Sequence, residues 1–147
     1  MVVLGTIAEG CIGETVAAIE AAEALAHCED EAARATLARI AQDETRHAEL
    51  AWRFVAWALE RGPAALREQA RAAFADAVLD AGQIEATPVV PSPLDAQLAR
   101  QGLIASSLRA ELRRRVLRDV IEPCARDRKS TRLNSSHLSV SRMPSSA

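Results

Sequence analysis

The stretch IAQDETRHAEL, residues 40–50, interrupts what is otherwise an alanine-rich amphipathic helix. Outward from it the apolar positions step by four and three: Ala33, Leu37 and Ile40 before, Ala51, Phe54 and Ala58 after. That is the spacing of a helix with one buried face. Continued through the gap, the stepping lands on Glu44 and His47. A helix that buries this stripe also buries a carboxylate and an imidazole, and an unpaired charge in a low-dielectric core is strongly unfavourable. The partners of these two groups decide how the chain is built.

A chain of 147 residues suffices for one compact domain with a real core. The composition is 49% hydrophobic but 3% aromatic, without tyrosine, and alanine dominates the first three quarters. These proportions favour helices and predict an all-α fold. A net charge of −2 leaves no electrostatic footprint for nucleic acid. Cys11, Cys28 and Cys124 form an odd set without a CxxC pair, which argues against a disulfide framework and for a reducing, cytoplasmic setting. The opening MVVLGTIAEG lacks a basic segment, and Gly5 and Glu9 interrupt its apolar run, so neither a signal peptide nor a membrane partner is expected.

The periodicity predicts a first helix over about Thr6–Cys28, striped by Ile7, Cys11, Ala18, Ala21 and Leu25, with Glu14 inserted among them. Asp30 is placed to cap a second helix that ends at Gly62-Pro63. At about 1.5 Å per residue this helix is a rod of roughly 45 Å. A third helix is expected over Ala64–Ala81, ending at Gly82. The TPVVPSP stretch (87–93) reads as a linker. A last helix is expected over Leu94–Ile121, closed by Pro123. The chain therefore divides into a long antiparallel hairpin (1–62), two additional helices (63–126) and a tail (127–147). The tail, ending RKSTRLNSSHLSVSRMPSSA, is serine-rich and without helical period. It reads either as translated adapter sequence or as a natural disordered tail, and it stays outside the fold argument.

Glu44 and His47 are three residues apart, hence on one helical face. Glu14 is the charged group on the first helix's own stripe. It lies about as far before the connection near residues 29–30 as Glu44 and His47 lie after it, so an antiparallel hairpin brings all three to one height. Such groups are satisfied by a mutual hydrogen bond, by a partner on the facing helix, or by a metal cation. Two oxygen ligands and one nitrogen ligand suit a transition metal such as iron, manganese or zinc. Glu9, Glu20, Glu23 and His27 fall on the opposite arc and read as a solvated face. Asp43 reads either as an acceptor orienting His47 or as a surface aspartate beside Arg39 or Arg46. Cys11 reads as a small buried hydrophobe, Trp52 and Trp57 as packing residues. Arg109, Arg113, Arg114, Arg115 and Arg118 read as a solvated face beside the core line Leu108, Leu112 and Val116.

An inward Glu on one helix and Glu-x-x-His on its antiparallel neighbour resembles half of the di-iron carboxylate site of ferritin-like four-helix bundles. Residues 6–60 are similar to the second helical hairpin of bacterial ferritin-like domain proteins. The resemblance implies an incomplete ferritin-like bundle. Glu14 would be the bridging carboxylate, and Glu44 and His47 the ligands of the Glu-x-x-His motif. It implies a dinuclear iron centre, manganese being the alternative, and a di-iron oxidoreductase or iron-oxidising function once complete. The family's full site needs another Glu and another Glu-x-x-His, which this sequence lacks. The missing ligands are expected from an absent N-terminal hairpin or from a second copy in a homodimer. The alternative is a metal-free helical interaction or dimerisation module.

Overall fold

The computed structural model describes residues 2–83 and 92–126, with the side chains of 81–83 excepted. The linker residues 87–91 and the whole of the tail expected over 127–147 lie outside that range. Among the described residues 90% are helical and none is in a strand, as the alanine-rich composition requires.

Helix α1 is continuous from Val2 to His27, but its first half departs from α-geometry: Thr6–Glu14 is a π-helix. In a π-turn the backbone bond runs from i to i+5, so side chains four and five apart share a face. Ile7, Cys11, Ile12, Thr15 and Val16 accordingly all point inward. The expected stripe through Glu14 assumed α-spacing throughout, and the extra residue per turn rotates Glu14 off the buried face to its edge. Beyond the π-segment the α-period resumes, with Ala18, Ala21 and Ala24 buried. Leu25, expected on the stripe, is only half-buried. By length and apolarity α1 meets the requirements of a helix that crosses a bilayer (mean hydropathy 1.6 over its most apolar window), although 33% of that window is buried within the molecule.

Helix α2, Glu31–Arg61, starts where expected: the Asp30 side chain accepts from the Ala33 N–H at 2.7 Å. It stops where expected, at Gly62 ahead of Pro63. Its buried positions are Ala48, Ala51, Trp52, Val55 and Ala58, whereas Ile40 is 41% exposed and Phe54 half-buried. The face turned to the core is thus rotated away from the predicted line, which becomes one edge of it. Helix α3, Ala64–Gln83, passes through Gly82. A glycine in helical conformation costs about 1 kcal/mol relative to alanine but does not break the helix.

The last predicted helix is divided. Ser92 and Asp95 form a reciprocal capping box at the start of α4, Pro93–Arg100. Gly102 then takes a φ of +79°, and the amides of Leu103 and Gly102 bond back to the carbonyls of Leu98 and Ala99. This is the glycine-terminated helix end in which only a residue without Cβ is comfortable. A second helix, α5 (Ser106–Val116), continues through a π-turn (Leu117–Ile121) into α6 (Glu122–Arg126). Pro123 lies inside this run and does not close it. Proline lacks an N–H and crowds the carbonyl one turn back, and a wider π-turn immediately before it relieves both.

The four segments share one core. Ile7, Cys11, Ile12 and Val16 of α1 meet Ala48, Ala51, Trp52 and Val55 of α2, Ala70 and Phe74 of α3, and Val116, Leu117 and Ile121 of the C-terminal helices. The hairpin and the later helices are therefore not separate bodies: α3 and the C-terminal helices cover the side of α1 that α2 leaves open. Leu112 and Val116 are buried as expected. Arg109 reaches across to Glu20 at 3.4 Å, so that edge of α1 is partly covered rather than simply solvated.

Candidate metal centre

The hairpin register sets the site. A Cβ added to Gly10 would lie 2.5 Å from the Ala51 Cβ, so the two helix backbones approach closely there and only glycine permits it. One turn further along α1 and one turn back along α2, the same register puts Glu14 opposite His47. Ligand atoms of Glu14, Glu44 and His47 all lie within 4.8 Å of one another. His47 Nδ1 is 3.4 Å from Glu44 Oε2 and 3.9 Å from Glu14 Oε2. The predicted trio is assembled by two helices, at one height.

Its burial differs from expectation. The side chains of Glu44, Glu14 and His47 are 26%, 34% and 61% exposed. The π-segment accounts for this on α1, and the rotated core face accounts for it on α2. The trio sits on the rim of the hairpin with its open side toward solvent.

The two carboxyls share their environment unequally. A hydrogen bond to Glu44 raises the Glu14 pKa above the ordinary carboxylate value; burial and the Glu44 charge add to this, and His47 opposes it. The same hydrogen bond lowers Glu44, against the effect of burial and helped by His47. Two carboxyls at one point disfavour being ionised together, so where Glu14 carries a proton an incoming cation competes with it.

Behind the site lies a buried polar contact with no obvious sequence signal. Thr15 is 4% exposed; its hydroxyl donates to the Cys11 carbonyl at 2.7 Å and accepts from the Trp52 indole N–H at 3.3 Å. Trp52 also stacks parallel to Phe74 with ring centroids 5.4 Å apart. Gly10 is the residue that sequence reasoning passed over. A glycine within a helical pattern costs about 1 kcal/mol against alanine, which is a hint of close packing.

The other candidates resolve plainly. Asp43 pairs with Arg46 at 3.4 Å and Arg39 at 3.9 Å, the surface alternative. Glu23 and His27 pair with each other at 3.2 Å on the far arc. Cys11 is fully buried. Trp52 is a packing residue, but Trp57 is 53% exposed. No protein-family model, curated protein or solved structure gives a significant match to the chain.

Proposed function

We propose that this chain is a metal-binding protein of ferritin-like type, in which Glu14, Glu44 and His47 supply ligands to a dinuclear iron centre, manganese being the alternative metal. The observation that carries this proposal is the convergence, from two helices, of two carboxylates and an imidazole within 4.8 Å. The donor set fits the group. Two carboxylates balance the charge of a divalent ion, an imidazole suits first-row transition metals, and three ligands leave coordination positions free on the exposed side. The remaining ligands come from a further hairpin carrying a second Glu-x-x-His or from a second copy of the chain. When bound, the metal supplies redox chemistry with dioxygen or peroxide, or oxidation of Fe(II) arriving as substrate. The protein's own part is to hold the three ligand atoms in register.

Anaerobic titration with Fe(II) and Mn(II), followed by calorimetry and metal analysis, tests this. The wild type is expected to retain metal. Removing one ligand costs at least as much as removing an outer-shell partner, about 10–100-fold in affinity, so Glu44→Ala and His47→Ala are expected to lose it. Equal absence of metal from wild type and both variants overturns the proposal. One observation favours a metal-free interaction module instead: the trio is partly solvated and already paired internally, so nothing in it demands a cation.

A further inference from the structure

We infer that the open face of α2 is a two-fold interface with a second copy of this chain, packed antiparallel and centred on His47, so that each copy completes the other's metal site. This inference rests on the assignment of Glu14, Glu44 and His47 as ligands. Ile40, His47 and Phe54 are spaced seven residues apart, and a seven-residue repeat keeps side chains on one seam between packed helices. Leu50 and Trp57 each follow a member of that column by three residues and occupy the adjoining edge of the same face. Ile40 is 41% exposed, Trp57 53% and Leu50 69%. Phe54 stacks against Trp57 with centroids 6.0 Å apart, and the Arg61 guanidinium lies 5.4 Å over the Trp57 ring. Large apolar side chains clustered beside a polar site mark an interaction surface rather than scattered surface hydrophobes.

The occupant follows from symmetry. Ile40 and Phe54 stand seven residues before and seven after His47. A two-fold axis at His47 sets Ile40 of one copy against Phe54 of the other, twice, and Trp57 against the stretch Thr36–Leu37. The reciprocal Ile40–Phe54 pair is the self-complementary contact that an isologous interface requires. The same axis brings two exposed His47 side chains and four carboxylates together. Four negative charges match two divalent cations, and six ligands replace the three that a single chain offers.

Sedimentation velocity of the full chain, with and without Mn(II), tests the interface. A dimer that tightens with Mn(II) is expected. Ile40→Lys and Phe54→Glu are each expected to raise the dimer dissociation constant by about tenfold or more. Mixing the two variants is expected to restore a dimer, because the antiparallel register puts lysine across from glutamate. Circular dichroism of each variant confirms that helix content is kept, and the rescue on mixing cannot arise from misfolded chains. A chain that stays monomeric while binding Mn(II) overturns the interface and leaves the metal assignment standing; so does a dimer indifferent to both substitutions. A dimer rescued on mixing that takes up no Mn(II) upholds the interface and removes the metal assignment.

Discussion

Helix α2 carries two tryptophans five residues apart with opposite fates. Trp52 is 3% exposed, its indole N–H satisfied by Thr15 and its ring stacked on Phe74. Trp57 is 53% exposed on the other face, its ring against Phe54 and the Arg61 guanidinium. One helix thus has two apolar faces, one consumed by the molecule's own core and one left at the surface beside His47. Composition alone does not distinguish them. Their difference lies in whether a facing helix supplies both apolar area and a polar atom for the indole.

The sharpest way to break this contrast is truncation of each ring. Trp52→Ala removes a fully packed aromatic and is expected to cost about 3–5 kcal/mol of unfolding free energy in urea melts. Next, Gly10→Ala forces a Cβ against Ala51 and is expected to cost about 1–3 kcal/mol by overpacking. It also pushes α1 off α2 one turn from where Glu14 meets His47, so metal affinity should fall with stability in the same titration. Thr15→Val removes the hydroxyl that accepts from the Trp52 indole and donates to the Cys11 carbonyl, for an expected loss of about 1–3 kcal/mol, weighted to the lower end because the shape is kept. At the small end, Trp57→Ala is expected to change monomer stability by no more than about 0.5 kcal/mol, as for an ordinary surface substitution. A large Trp57 effect at dilution, with a small Trp52 effect, would reverse the assignment of the two faces.

The site gives the comparison a pH dimension. Glu14 has a raised pKa in the fold, so its contribution favours folding at low pH and is lost as the pH rises through that value. Glu44 is lowered and behaves oppositely, contributing above its unfolded pKa and losing that as the pH falls through the folded one. The two tendencies oppose each other in the metal-free protein, but not for metal uptake. A cation competes with a proton on Glu14, so affinity is expected to fall as the pH drops through the raised Glu14 pKa. Calorimetry at pH values near that point, in buffers of different ionisation enthalpy, is expected to register proton release on binding, and Glu14→Gln should reduce it.

Much of the architecture was legible in the sequence because local chemistry dictates it. Asp30 caps the helix it precedes, Gly62-Pro63 ends it, and the distances from Glu14 and from Glu44 and His47 to the hairpin turn put all three at one height. What was not legible is the angular setting of those groups. Stepping by three and four presumes one helical period throughout, and nothing in TIAEGCIGE, apart from its two glycines, signals that the period there is longer. The same presumption carried the last predicted helix across Gly102 and stopped it at Pro123, whereas backbone freedom at the glycine and a π-turn before the proline produce the reverse. Burial also depends on which helices cover which faces, and the covering of α1 by α3 and the C-terminal helices is a long-range fact with no local signature. The all-α class follows from local propensity, while the half-open setting of the Glu14–Glu44–His47 trio had to be seen.

The π-segment over Thr6–Glu14 has a consequence for how this sequence can change length. An ordinary helix that loses one residue swings everything beyond the deletion by about 100°. A stretch already carrying one residue too many per turn can give one up and relax to the standard period, with its hydrogen-bond ladder unbroken. A loss between Ala8 and Gly13 would leave Glu14 and everything after it seated against α2. The segment therefore acts as a slip joint, decoupling changes of length near the beginning of the chain from the setting of Glu14.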